Sequence, residues 1–243
     1  MKWLTSVGFM LMAVLLSGCL YPNDQLSKNQ VPNEVQLQTI QQAVTQYRED
    51  NQGLVPIKTK PNDTPVFQKY LLDFTTLKQG GYISSIPGTA FENGGIYQYV
   101  LVDPEENPQV KLIDLRIAQE IRTVMRAIDL YRDEHLYPPF GEQIADGVYK
   151  INYDKIGFDE KPQIQSPYSQ KNLSLVMDVQ GQAYVDYRPD LYEAIQSYDH
   201  SFKTGDDIRF ILSENTPFAP AYSLPYTIEG EEPVFAKELR NEE

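Results

Sequence analysis

"AVTQYREDNQGLVPI" occupies residues 43–57, and "AIDLYRDEHLYPPF" occupies residues 127–140. Each stretch ends a helical pattern in Tyr-Arg-acid-acid, passes a short turn and reaches proline and an apolar residue. Tyr131 follows Tyr47 by 84 positions, and Pro139 follows Pro56 by 83. The fold turns on this pairing, because it says that one α+β unit is written twice.

In the first copy Leu37, Ile40, Val44 and Tyr47 recur at helical spacing, which predicts a helix over residues 34–50. Asn33 and Gln36 form a capping-box pattern before it. Gly53 supplies the positive φ that ends many helices. A polar, proline-bearing stretch (58–64) and an irregular one (67–87) follow, the latter punctuated by Gly80-Gly81 and Pro87-Gly88. "GGIYQYVLVD" (94–103) is rich in β-formers. "DPEENPQ" (103–109) has the composition of a hairpin loop, and "VKLID" (110–114) is the return strand.

The second pass begins at Asp114, which can cap a helix striped by Ile117, Ile121, Val124, Met125, Ile128 and Tyr131. "VYKINYDKIG" (148–157) then stands opposite "KYLLDFTTLK" (69–78), and Ser166-Pro167 opposite Ile86-Pro87. Met177-Asp178 stands opposite Val102-Asp103 at an offset of 75, so the second copy has shorter loops. Two copies are too few for a solenoid, which needs three or more. The expectation is therefore an α+β fold of two tandem helix-plus-antiparallel-hairpin units, 34–114 and 115–188, packed together. In the remainder, 189–243, Asp190 and Glu193 suggest a capping box before a short helix to about Tyr198, and "DDIRFIL" (206–212) reads as a strand. "SENTPFAPAYSLPYTIEGEEPVF" (213–235) is either an extended segment packed across the domain or an aromatic-proline surface that docks a partner through Phe218, Tyr222 and Tyr226. Residues 237–243 read as an acidic tail.

With Tyr47, Pro56, Gly81, Tyr82, Ile83, Pro87, Tyr97 and Tyr99 so placed, residues 34–114 resemble the globular head of type IV pilins and type II secretion pseudopilins. Residues 115–188 resemble it more loosely, through Tyr131, Tyr137, Pro138 and Pro167. The prepilin cleavage site and long apolar assembly helix of that family are missing, so the resemblance implies a fold and not a polymerising pilin. The whole chain also resembles uncharacterised lipoproteins of Bacillus-like bacteria.

Residues 1–18 read as a signal peptide: a basic Lys2, then an apolar run from Trp3 to Leu16 that is shorter than the roughly 20 residues of a membrane span. Leu16-Ser17-Gly18-Cys19 resembles the bacterial lipobox, which implies lipidation of Cys19, the only cysteine. Residues 19–33 read as a flexible tether. A diacylglyceryl anchor needs no basic patch beside it. The expected location is extracytoplasmic, with the lipid anchor joining the chain to a bacterial cell membrane.

Lys and Arg number 21 against 34 Asp and Glu, a formal charge of −13. Phosphates are repelled by such a surface, so nucleic acid is not an expected partner. With Cys19 committed to lipid, no disulfide or thiolate site is available to the mature chain. His135 and His200 fall in no catalytic motif. Asp103, Glu105 and Glu106 share one hairpin loop and could offer hard oxygen ligands to calcium, although the spacing is not that of an EF-hand. Asp199, Asp206 and Asp207 form a second acidic cluster. Tyr97, Tyr99, Tyr149, Tyr153, Tyr184 and Tyr187 fall on expected strands, where a ring buries its face and wets its hydroxyl. The functional expectation is a non-enzymatic lipoprotein, without a required cofactor, that binds or scaffolds an envelope protein. The alternative is a solute-binding receptor.

Overall fold

A computed structural model describes residues 34–58 and 60–236. The expected signal peptide, Cys19, the tether and the acidic tail lie outside them. Among the described residues no helix is long and apolar enough to cross a membrane.

Helix α1 (Glu34–Asp50) buries Ile40, Ala43 and Val44, with Leu37 and Tyr47 packed beside them. Gly53, at φ +88°, turns the chain out of it and donates to the Arg48 carbonyl at 2.9 Å. The stretch expected to be irregular contains two short helices, α2 (Val66–Lys69) and α3 (Phe74–Gln79). Asp73 makes α3 by capping it: its carboxylate accepts from Thr75 N, Thr76 N and the Thr76 hydroxyl. Burial pushes the Asp73 carboxyl up, but these hydrogen bonds outweigh it and hold the group below the usual aspartate value. Strand β1 (Tyr97–Val102) pairs antiparallel with β2 (Gln109–Asp114).

Helix α4 (Leu115–His135) starts on Asp114, whose carboxylate accepts from Arg116 N, and carries the second stripe into the larger core. Its sheet has the order β3 (Phe140–Ala145), β4 (Val148–Ile151), β7 (Leu175–Asp178), β8 (Ala183–Val185). A two-residue ladder, β5 (Ile164–Gln165) with β6 (Asn172–Leu173), sits in the connection.

The two units repeat one set of pairings. In the first, Ile57 bridges Leu72 and Leu71 bridges Val100. In the second, Phe140 pairs with Ile151, and β4 pairs with β7. Asp73 N donates to Pro56 O at 2.8 Å, and Asn152 N to Pro139 O at 2.9 Å. Asn152 then caps a 3-10 turn (Tyr153–Ile156), as Asp73 caps α3. The Arg of each Tyr-Arg pair clamps the tip of its own hairpin. Arg48 donates to the carbonyls of Glu105 and Glu106, and Arg132 to that of Gln180.

An antiparallel sheet with a helix on one face commonly leaves the other to water. Here five of the six β1 residues are buried. Tyr97, Tyr99 and Leu101 pack in the α1 core, whereas Val100 and Val102 pack with Phe67, Ala219 and Ala221 on the opposite face. The C-terminal extension supplies that second cover. It consists of α5 (Arg188–Ser197), α6 (Phe210–Asn215) and a hairpin of β9 (Tyr226–Glu229) with β10 (Glu232–Phe235). Over the second sheet, Leu224 and Phe235 pack against Val148 and Val176.

Two expectations are corrected in this region. "DDIRFIL" is not a strand but a turn entering α6, because Ile208, Ile211 and Leu212 bury at steps of three and four rather than two. The Asp190–Glu193 capping box does not form. Helix α5 starts at Arg188, Asp190 turns inward to Ser166 and Ser169, and Glu193 pairs with Lys171.

Residues 217–225 form a strap that also closes one edge of each sheet. Leu112 N donates to Pro217 O and Ala219 N to Leu112 O, each at 2.9 Å. Val185 N donates to Tyr222 O at 2.8 Å. An uncovered strand edge is a template for aggregation, so this strap answers for β2 and β8 together.

Candidate functional site

Most of the residues singled out in the sequence are used by the fold itself. In the first hairpin loop, Asp103 sits at φ +51°, and its carboxylate accepts from Glu106 N and Asn107 N. The Glu105 and Glu106 carbonyls are taken by Arg48. Among the described residues no group of three His, Cys, Asp or Glu could hold a metal ion, so the three acids are not gathered into a calcium site. In the second hairpin Asp178 repeats the turn, accepting from Gln180 N and Gln182 N at 2.9 Å each.

Phe218, Tyr222 and Tyr226 do not form a docking surface. Tyr226 is fully buried; its hydroxyl accepts from Tyr187 N and donates to Val185 O. Phe218 lies on the strap, its ring against Tyr97 and Tyr168. Only Tyr222 reaches a cleft, and it is half-buried there. The physical cause is the edge closure: a segment that pairs with two sheets has spent its backbone and its rings inside the molecule.

His135 stacks on Tyr131, with centroids 4.0 Å apart and planes 5° apart, and its Nδ1 lies 3.0 Å from Tyr131 O. His200 is exposed near Phe202. Asp206 accepts from Lys203 N, while Asp207 is held by Arg209, so two of the three acids in the second cluster also have structural work. Among the tyrosines, burial pushes the Tyr153 hydroxyl up to about 12 and those of Tyr168, Tyr187 and Tyr226 well above the usual value. These groups serve as neutral hydroxyls near pH 7.

A motif not singled out in the sequence is Asp-x-Arg, at Asp114/Arg116, Asp186/Arg188 and Asp207/Arg209. In all three the carboxylate accepts from the arginine's own backbone N–H and from its guanidinium. The threefold spacing was the signal that could have found it. Arg209 is the buried member, 2% exposed; it lies 5.1 Å over the Phe67 ring and donates to Ser223 O. It thereby ties the first unit to the strap.

Beside that tie lies a cleft of about 510 Å3. Four chain segments wall it: Asp63, Pro65 and Gln68 from the first unit; Asp146 and Gly147 from the β3–β4 turn; Asp178, Val179, Gln180 and Tyr184 from the β7–β8 hairpin; and Tyr222 to Pro225 from the strap. Asp63 and Asp146 are exposed, and Asp178 is buried with its carboxylate taken by Gln180 N, Gln182 N and the Tyr184 hydroxyl. None of its lining residues is a lysine or arginine. A shallower hollow of about 180 Å3 shares Gln68 and Tyr222 and carries Lys60. Volumes of about 300–1,000 Å3 with apolar walls and a few placed polar groups are typical of ligand sites. Asp63 and Asp146 were not candidates in the sequence.

No curated protein and no solved structure matches the chain. The first unit, from just before α1 to the end of β2, matches over residues 33–114 the family model of the YphF family N-terminal domain.

Proposed function

We propose that this chain is a non-enzymatic binding module of the bacterial cell envelope, tethered to the outer face of a membrane by lipid on Cys19. The observation that carries the reading is the cleft between the two units, formed by four segments that meet only in the folded chain. Both histidines stand outside its walls, and its tyrosines are half-buried side chains suited to contact. In this reading the first unit, a helix laid on an antiparallel hairpin, is a pilin-head-like scaffold without an assembly helix. The partner is an envelope protein. A small-solute receptor is the second reading, favoured by the cleft volume alone.

Crosslinking in intact cells followed by purification tests the module. Deleting residues 214–243 is unsuitable, since it would strip the edge closure from β2 and β8. Val179→Trp is preferable, because Val179 is 54% exposed at the rim and the indole would fill the cleft. The wild-type chain is expected to yield a defined envelope protein, and V179W to lose it. Equal recovery with V179W would remove the cleft from the account. For the anchor, Cys19→Ser is expected to abolish lipid mass on the processed N-terminus. Unchanged membrane recovery without lipid would overturn that part.

A further inference from the structure

We propose that the hollow beside the cleft is a binding site for an oxyanion, a carboxylate or phosphate group held between Lys60 of the first unit and Arg122 of α4. The assignment goes beyond the binding-module reading and does not depend on it. Lys60, Thr64, Gln68, Gln98 and Tyr222 line about 180 Å3 together with Leu71 and the buried Ile113, and no carboxylate is among the lining residues. Lys60 and Arg122 are both exposed, and neither forms an ion pair among the described residues. The Thr64 hydroxyl, the Gln68 amide and the Tyr222 hydroxyl likewise have no hydrogen-bond partner there. Gln98 makes only a long contact, 3.5 Å, to Glu92, whose charge is met by Lys58. Arg122 does not line the hollow, but it stands close enough to Tyr222 for its charge to work against burial, which pushes that hydroxyl's pKa up. Ammonium, guanidinium, amide and hydroxyl groups all donate hydrogen bonds, and those from a cation to an oxyanion are the strong ones. Tyr222 sits at φ +59°, a rare conformation for a bulky residue, and its ring lies on the partition that cleft and hollow share. Strain of this kind clusters at ligand clamps. A cavity of about 150 Å3 takes a benzene ring, so the hollow suits a small oxyanion head and not a polymer. The chain's charge of −13 repels anions at long range, but screening over about 8 Å at physiological salt leaves the local donors to decide. Asp63, one residue from Thr64, belongs to the cleft lining instead.

Equilibrium dialysis tests it, with radiolabelled inorganic phosphate and, separately, radiolabelled succinate against full-length protein purified in detergent, at fixed ionic strength. Saturable binding at one site per chain is expected. K60Q and R122Q are each expected to weaken it roughly fivefold, and Y222F about twofold, as each removes one donor. K78Q removes an exposed charge from α3, outside the hollow, and is expected to leave binding unchanged. Near-ultraviolet circular dichroism shows whether each variant keeps its fold. The oxyanion has two sources, a free anion or an acidic group on a polypeptide, and crosslinking in intact cells separates them. Saturable binding of phosphate or succinate that K60Q/R122Q abolishes assigns the site to a free anion. No binding of either, with an envelope partner lost in K60Q/R122Q and kept in K78Q, assigns the group to that partner. Equal loss in K78Q shows attraction to general surface charge and overturns the proposal, as does the absence of any effect of K60Q/R122Q in both experiments. If V179W loses the partner while K60Q/R122Q keeps it and no anion binds, this inference falls and the module reading stands. If the anion binds and no form recovers a partner, the module reading fails and this one stands.

Discussion

Arg209 joins three separate parts of the chain. Its guanidinium is bidentate to Asp207, lies over Phe67 and reaches Ser223, all while almost wholly buried. Removing one partner of a buried pair leaves the other charge uncompensated and costs about 3–5 kcal/mol. Arg209→Ala is expected to lower the urea midpoint by a corresponding amount, with Arg209→Lys intermediate because lysine lacks the planar fork. A loss within the range of a surface pair would show that Arg209 is not the tie described. Asp190 offers a pH signature. It is 2% exposed, and burial raises its carboxyl above 3.8 despite the Ser169 and Ser166 hydroxyls. A folded-state value above the unfolded one means that Asp190 contributes stability fully below pH 3.8, a contribution lost as pH rises through the folded pKa. Asp190→Asn is expected to remove that decline from a series of urea midpoints; an unchanged slope would contradict it. Neither role could be read from the sequence. In the sequence Arg209 falls in an expected strand and Asp190 in an expected capping box, and only tertiary burial separates them from Arg116 and Glu193.

Helices α1 and α4 were legible because each repeats burial at one helical period over a long run, and the hairpins because β-forming residues flank turn-type loops, although their strands are buried on both faces. Recognition of the two-unit pattern rested on Tyr-Arg and Pro, and in the structure those residues act alike in both units. The arginine clamps the hairpin tip, and the proline carbonyl accepts the cap residue's N–H. The strap was less legible. Its prolines and aromatics suit either an exposed or a buried segment, and the choice depends on strand edges elsewhere in the chain. Helix α6 reads as a strand in the sequence because a seven-residue run does not declare its period when two acids and an arginine stand near its start. Tyr226 tests the strap's seating. Replacing Tyr226 with Phe removes the acceptor of Tyr187 N–H while keeping the ring. An unsatisfied buried donor costs about 1–3 kcal/mol, and Y226F is expected to lose stability in that range in a urea titration. A neutral substitution would mean that the Tyr226 hydroxyl adds nothing to the seating, which then rests on the strap's backbone pairing and apolar packing.

At the scale of the whole molecule, the extension turns two half-covered units into one body. It covers the second face of each sheet and closes one edge of each. The cleft is a consequence, since its walls come from residues as far apart as Asp63 and Pro225. No local pattern could announce it, which explains why the acidic hairpin loop drew attention in the sequence while Asp146, in an Asp-Gly turn, did not. The central claim is that this cleft is where the partner sits. A photo-crosslinking residue placed at Val179 in the cleft lining, with the somewhat more exposed Leu130 on α4 as a control, tests it in living cells. A discrete adduct from position 179 that is absent from position 130 is the predicted result. The same adducts from both positions, or none from 179, would contradict it.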